Sequence, residues 1–319
     1  MKNLFQICVL LFTIVSNSFA KDKIDKVAIV VPVEHRAMDD IVRGVKDNLK
    51  EIINDDKIVV FNGMGDTNNL NAIINQVTQN AEYSVIMPIG TNATYMAIGA
   101  TKDKYIASLA STLNEEKRQE LIRNDHKNIT NVYDEVINED ILRLIAAINK
   151  RNILLVFSND ERIIDDVQEL ESLQDKYNIK IHKFNVSNAT DIYAMSAALS
   201  NIDCILLLKD HFVVSMINII SSIAHDKNIP VVASDEGSTI GGADIGLGID
   251  EFDIGVIGAQ VFKEVFDGKS PAEIPVRVVK DIKIFYNSNS KINPDELKIV
   301  SNNLQYTLKE VSINKNEAY

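Results

Sequence analysis

Val27-Ala28-Ile29-Val30-Val31 is an unbroken apolar run, and Met38 to Ile53 follows it with Ile41, Val42, Val45 and Leu49 at helical spacing. A run that is apolar on both faces suits a central parallel strand. The spacing after it gathers apolar side chains on one face of a helix. Strand followed by covering helix is the unit of a parallel α/β sheet, and the unit recurs. Segments 58–61, 83–88 and 105–109 read as strands, with helices predicted over 70–77 and 91–99. After a short strand or crossing segment at 129–132, a second series begins. It has helices over 139–148, 163–177, 192–199 and 212–224, and strands over 153–157, 179–184, 204–208 and 230–233. A strand at 243–249, a helix at 251–266 and a late strand at 282–286 follow, and Pro294 opens a helical or irregular tail.

Two such series in tandem predict an α/β chain of two doubly wound parallel-sheet lobes joined by a hinge. The expected lobes are 21–131 with about 250–280, and 132–249 with about 281–319; the chain crossings fall near Tyr133, Asp250 and Lys280. Open sheets of this kind take ligands beyond the carboxyl ends of their strands. Two facing lobes therefore make a cleft walled by strand-to-helix loops, able to close around a hinge.

The first residues point to export. Lys2, the apolar stretch Leu4–Val15 and Ser18-Phe19-Ala20 have the form of a secretory signal peptide over 1–20, with cleavage expected after Ala20. Cys8 lies inside the apolar core, before the small-residue site, so a soluble rather than lipidated periplasmic product is expected. Cys204, within the apolar run 202–208, is then the one cysteine left, and a buried inert thiol is expected there.

The formal net charge of −12 argues against nucleic acid or anionic lipid as a partner. No catalytic or cofactor signature stands up. Gly63-Met64-Gly65 lacks the third glycine of a dinucleotide loop, because residue 68 is Asn. The five histidines are scattered, with none at metal-ligand spacing. Asp39-Asp40 reads as a solvated helix face, and Asn128-Ile129-Thr130 matches a glycosylation triplet. No cofactor, metal or catalytic residue is expected.

The strand-end loops supply the candidate ligand residues. Gly90-Thr91-Asn92-Ala93-Thr94 follows a strand and opens a helix, so its first amides and the Thr91 and Thr94 hydroxyls suit a carboxylate; an ordinary cap is the alternative. Ser111 offers another hydroxyl. Glu34 is placed to face an ammonium and His35 to stack on a flat ligand, unless both are rim residues. On the second lobe, Asp210, Ser234, Asp235 and Glu236 suit a protonated amine. Asp235 is favoured over Asp210, which Lys209 is placed to neutralise; a cap or turn role with Gly237 is the other reading of Asp235. Ser158 and Asn159 look into the cleft, and Tyr133 either touches ligand or fills the hinge.

The same stretches carry a resemblance. Ala28-Ile29-Val30-Val31-Pro32-Val33-Glu34-His35 with Met38–Gly44, Gly65-Asp66 with Asn69-Leu70, Gly90-Thr91-Asn92-Ala93, Lys209-Asp210, Val232–Gly237 and Gly248-Ile249-Asp250 resemble substrate-binding components of ABC transporters of the tryptophan/tyrosine-binding type. The similarity spans essentially the whole chain after the leader. It implies the type I periplasmic-binding fold, an amino-acid ligand with aromatic ones favoured, a membrane permease as partner and a monomer. It also adds Asp66 and Ala93 to the expected ligand contacts. The chain departs from the family at Arg36, where proline is usual, at Lys209 and His211, where threonine and asparagine are usual, and at Thr112-Leu113-Asn114. Two other readings stay open at this point: a ligand-binding component of a periplasmic sensory system, and an exported hydrolase. The second is disfavoured because the adjacent Asp235 and Glu236 point different ways.

Overall fold

The computed structural model of the chain describes residues 26–34, 36–134 and 138–313. The expected leader 1–20 and His35 lie outside them. The chain opens with β1 (Lys26–Val31), α1 (Arg36–Leu49), β2 (Ile58–Asn62), α2 (Thr67–Gln79), β3 (Tyr83–Pro88), α3 (Thr91–Ala100), β4 (Tyr105–Leu109), α4 (Glu115–Arg123) and β5 (Ile129–Asp134). It continues with α5 (Asn138–Ala147), β6 (Asn152–Phe157), α6 (Glu161–Leu173), β7 (Lys180–Asn185), α7 (Ala189–Ala194), β8 (Cys204–Leu207), α8 (His211–Ser215), α9 (Ile217–Asp226), β9 (Val231–Ala233), α10 (Glu236–Ile240) and β10 (Ile245–Gly248). Then come α11 (Glu251–Phe266), β11 (Arg277–Val279), β12 (Lys283–Asn287), α12 (Pro294–Leu304) and β13 (Thr307–Val311).

Two sheets result. The first has the order β11-β5-β4-β3-β1-β2 and is parallel throughout. The second has the order β13-β12-β10-β9-β8-β6-β7, parallel except where β12 runs antiparallel to β10. Each sheet has apolar cores on both faces. Val27, Ile29 and Val31 of β1 pack with Ile41 and Val45 of α1 and Phe262 of α11, whereas Ala28 and Val30 pack with Leu70 and Ile74 of α2 and Ala97 of α3. The unbroken apolar run of β1 is thus buried on both sides, as its composition requires.

Helix α11 returns from the second series to the core of the first lobe. It packs on α1 backbone to backbone: a Cβ added at Gly255 would lie 2.2 Å from the Ile41 carbonyl oxygen and 2.8 Å from Gly44 Cα. Two facing glycines make that approach possible.

Several features differ from the sequence reading, among them the short α10 and β11, which went unread. The helix expected over 212–224 is two, α8 and α9, broken at Met216, whose φ of −105° and ψ of 10° leave the helical region. The sequence carries neither Pro nor Gly within 211–226 to mark the break. Helix α4 went unread, because Leu121 and Ile122 are the only large apolar residues among its nine. The tail is a helix followed by β13, which pairs in parallel with β12.

Candidate functional site

The connections between the sheets define which edges face each other. The chain leaves the first sheet at the carboxyl end of β5, leaves the second at the carboxyl end of β10, and leaves the first again after β11, which runs parallel to β5. Both sheets therefore turn the carboxyl ends of their parallel strands toward the hinge. The walls of the intervening cleft are the loops after β1, β2, β3 and β4 on one side, and after β6, β7, β8 and β9 on the other.

On the first lobe, α3 begins at Gly90, whose φ of 83° and ψ of 162° suit glycine alone and which offers no side chain to cap the helix. The first amides of a helix lack partners within it. Thr91 is half-buried, and its Oγ1 accepts from the Thr112 amide at 3.2 Å. Ala93 and Thr94 are fully buried, and the Thr94 hydroxyl donates to the Gly90 carbonyl at 2.8 Å. Their side chains face the core, so the Thr94 hydroxyl is not available to a carboxylate as the sequence suggested. Ser111 is also buried, with its hydroxyl within a cluster of Ser108 and Asn131. Glu34 is exposed on the rim. Asp66 is exposed and caps α2 by accepting from the Asn69 amide at 2.8 Å. Tyr133 is half-buried near the carboxyl end of β5.

On the second lobe, Asp210 is 1% exposed. One carboxylate oxygen accepts from the amides of Phe212 and Val213 at 3.0 and 3.2 Å, and the other from the Ser158 amide at 2.6 Å. It caps α8 and ties the loop after β8 to the loop after β6. Lys209 reaches Glu251 of α11 at 3.4 Å. Asp235 caps α10, accepting from the amide and hydroxyl of Ser238, both at 2.7 Å. It is half-buried rather than sealed, and its oxygens keep lone pairs for another donor. Ser234 is 7% exposed, and its hydroxyl oxygen is shielded from solvent with no hydrogen-bond partner among the described residues. Asn159 is exposed and accepts from the Asn185 side chain at 2.9 Å.

Glu236 belongs to a different structure. Its carboxylate pairs with Lys309 of β13 at 3.0 Å, and the same ammonium pairs with Asp250 at 2.6 Å. Asp250 caps α11 and also receives Lys283, which bonds Asp253 at 2.7 Å. Burial pushes the Glu236 carboxyl above its ordinary range, and Lys309 offsets this only in part. Burial acts on Asp250 in the same direction, but Lys309 and Lys283 overcome it and hold that carboxyl low. Asp250 and Asp253 lie at the start of α11, which packs on the first sheet, whereas Lys283 and Lys309 are in strands of the second and Glu236 opens α10 beside it. The cluster therefore spans the hinge. The sequence reading missed Lys309, which sits in the tail and is brought here only by the pairing of β13 with β12. One member of the acidic pair on α1 also departs from the solvated face expected: Asp39 is exposed, but Asp40 is buried and pairs with Arg43 at 2.7 Å.

One other sequence signal dissolves. Asn128, just before β5, is buried, and its side-chain amide donates to the carbonyls of Thr101 and Lys104, so it is not exposed for glycosylation. Among the described residues no group of His, Cys, Asp and Glu is arranged to hold a metal ion, and no helix is long and apolar enough to cross a membrane.

Residues 26–305 match the family described as ABC transporter substrate binding protein. The chain belongs to that family. It is an extracytoplasmic component of an ABC importer that binds a substrate without transforming it, and its partner is a membrane permease. An uncharacterised protein of Rickettsia prowazekii is 35% identical over 276 residues, covering 85% of this chain and 86% of that one. A tyrosine-binding protein of Clostridioides difficile is 26% identical over 286 residues, covering 86% of this chain and 82% of its own. Among solved structures, the ligand-free, open form of a substrate binding protein with adhesive properties from Clostridium difficile superposes with a TM-score of 0.72 at 21% identity, covering 91% of this chain and all of the other. A domain from Streptococcus pneumonia in complex with L-Trp superposes at 0.65 with 24% identity, covering 88% and 96%. These likenesses give the type I periplasmic-binding fold, two parallel-sheet lobes with a hinge.

Proposed function

We propose that the chain captures an amino acid, with an aromatic side chain favoured, between its two lobes and delivers it to the permease. The observation that carries this reading is the relationship to the tyrosine-binding protein over 86% of the chain. The chemistry of the facing edges supports it. The start of α3, with no side-chain cap, suits a carboxylate, because helix N-termini combine free amides with a positive dipole end. Opposite, Asp235 retains carboxylate capacity for an ammonium group, and the Ser234 hydroxyl is a buried polar group in want of a partner. Closure strips water from such contacts and strengthens them.

Calorimetry on protein freed of ligand by unfolding and refolding tests the reading, with L-tyrosine, L-tryptophan, L-phenylalanine, L-leucine and tyramine as titrants. Binding of an aromatic L-amino acid, with tyramine at least about tenfold weaker, is expected. Binding of tyramine as tight as L-tyrosine would remove the carboxylate from the site. Failure of all three aromatic amino acids would remove the ligand class.

A further inference from the structure

Asn131 lies in β5 directly beside Ser108 of β4, on the sheet face that is otherwise packed with Ile106, Ile129, Ala93 and Ala97. It is fully buried. A primary amide at such a place is costly unless every donor and acceptor is used. Here they are used on the loop after β4. The Asn131 carbonyl accepts from the hydroxyls of Ser108 and Ser111, and its amide group donates to the backbone carbonyls of Ser111 and Leu113 at 3.2 and 2.7 Å. That loop contains Ala110 at a φ of 50°, a conformation that disfavours any residue with a Cβ. The loop then passes to the cleft: the Thr112 amide donates to Thr91 Oγ1, at the first turn of α3.

We infer that Asn131, itself sealed from solvent, is a positioning residue for substrate binding. By holding 110–113 in its left-handed turn it fixes Thr91 and the start of α3. The inference rests on the reading that the ligand binds at that edge. The sheet itself does not call for this amide, since the neighbouring inward positions on the same face, Ile106 and Ile129, are apolar. Leu or Val would fill the core but leave the Ser111 and Leu113 carbonyls and two hydroxyls without this partner. Asp would turn a carboxylate toward those carbonyls.

The test compares the wild type, Asn131→Ser, and Asn131→Ser combined with Ala110→Gly. The first arm needs no ligand: amide hydrogen exchange in the unliganded protein. Exchange at Thr112 and Leu113 should quicken by about tenfold or more in Asn131→Ser, while Ile86 and Val85 in β3 keep their protection. The second arm is calorimetry with L-tyrosine and L-tryptophan, where affinity should fall by about tenfold or more with unchanged stoichiometry. The third is rescue. Glycine adopts the left-handed turn without steric cost, so Ala110→Gly in the Asn131→Ser background should regain about threefold or more of the affinity. If Asn131→Ser does not fold, Ser111→Ala removes one hydroxyl of the same cluster and goes through the first two arms. Unchanged loop exchange overturns the inference, as does faster exchange spread equally through β3, which marks a general loss of stability. Affinity within about threefold of wild type despite a loosened loop also overturns it. If the wild type binds neither amino acid, the proposed ligand class falls and the exchange arm alone decides whether Asn131 holds the loop.

Discussion

Replacing Asp210 separates a structural acid from a binding acid. Its carboxylate is 1% exposed and accepts from three backbone amides, two in the first turn of α8 and one at Ser158. Asp210→Ala removes an N-cap, at about 1 kcal/mol. It also leaves the Ser158 amide without its acceptor in a half-buried loop, at about 1–3 kcal/mol. The sum is about 2–4 kcal/mol of stability, carried by the second lobe. Urea unfolding of the unliganded protein, followed by circular dichroism, should show the midpoint falling with little change in slope. Asp235→Asn should behave in the opposite way. Asparagine keeps a capping oxygen for the Ser238 amide, so the midpoint moves little. The charge proposed to face an ammonium group is gone, and affinity should drop by about 2–5 kcal/mol, which is more than tenfold. Calorimetry of both variants with the same amino acid decides between them. The reasoning is refuted if Asp210→Ala keeps the wild-type midpoint yet loses binding, or if Asp235→Asn binds within about threefold of wild type.

Three further outcomes follow from the same geometry. Gly255→Ala should destabilise by about 2–3 kcal/mol, because its Cβ meets the Ile41 carbonyl at 2.2 Å, whereas Gly99→Ala, with nothing within 4 Å, should stabilise by about 0.5–1 kcal/mol; thermal or urea unfolding reads both. The Cys204 thiol is pushed up to about 12 by burial, so it should resist alkylation at pH 8 in the folded protein and react at full rate once unfolded, and rapid labelling of native protein would contradict its placement. The Glu115 carboxyl is held at about 2 chiefly by the Arg118 guanidinium. A depressed carboxyl stabilises the folded state above its unfolded value of about 4.5 and loses that contribution as the pH falls toward about 2. Glu115 is substantially exposed, which limits the effect to about 1 kcal/mol, and Glu115→Gln should flatten the stability–pH curve in that window while leaving the slope above pH 5 unchanged.

The architecture was legible because it rests on local patterns. The run Val27–Val31 is apolar at every position, and the structure packs its alternate side chains against two different helix layers. The loops after strands were legible for the same reason: each follows an apolar run and opens a helix, so Asp210 and Asp235 stood out there, whereas Asp66 entered through the family resemblance. What those acids do there was not legible, since a cap and a ligand contact call for the same residue at the same place. The role of Ser111 depends on the register of β4 and β5, which sets Ser108 beside Asn131, and no local pattern reports that register. Lys309 reaches Glu236 only through a parallel pairing of the last strand with β12.

The distribution of caps bears on how a zwitterion would orient. Asp66, Asp210, Asp235 and Asp250 occupy the N-cap positions of α2, α8, α10 and α11, so each of those helices already carries an anion at its positive end. Gly90 at the start of α3 supplies none. Of these five helices, α3 is the one whose dipole is left to be met by something outside its own cap, and it belongs to the first lobe. The caps on the second lobe differ among themselves: Asp210 spends both carboxylate oxygens on backbone amides and is sealed from solvent, whereas Asp235 is half-buried and keeps some exposure. Under the proposed function, a ligand with one negative and one positive group would lower its energy in one orientation, anion toward Gly90–Thr91 and cation toward Asp235. The reverse orientation sets a carboxylate against a carboxylate and an ammonium against the positive end of a helix. The selection needs both lobes, so it is complete only on closure, and a ligand lacking either charge gives up part of the free energy that favours the closed form.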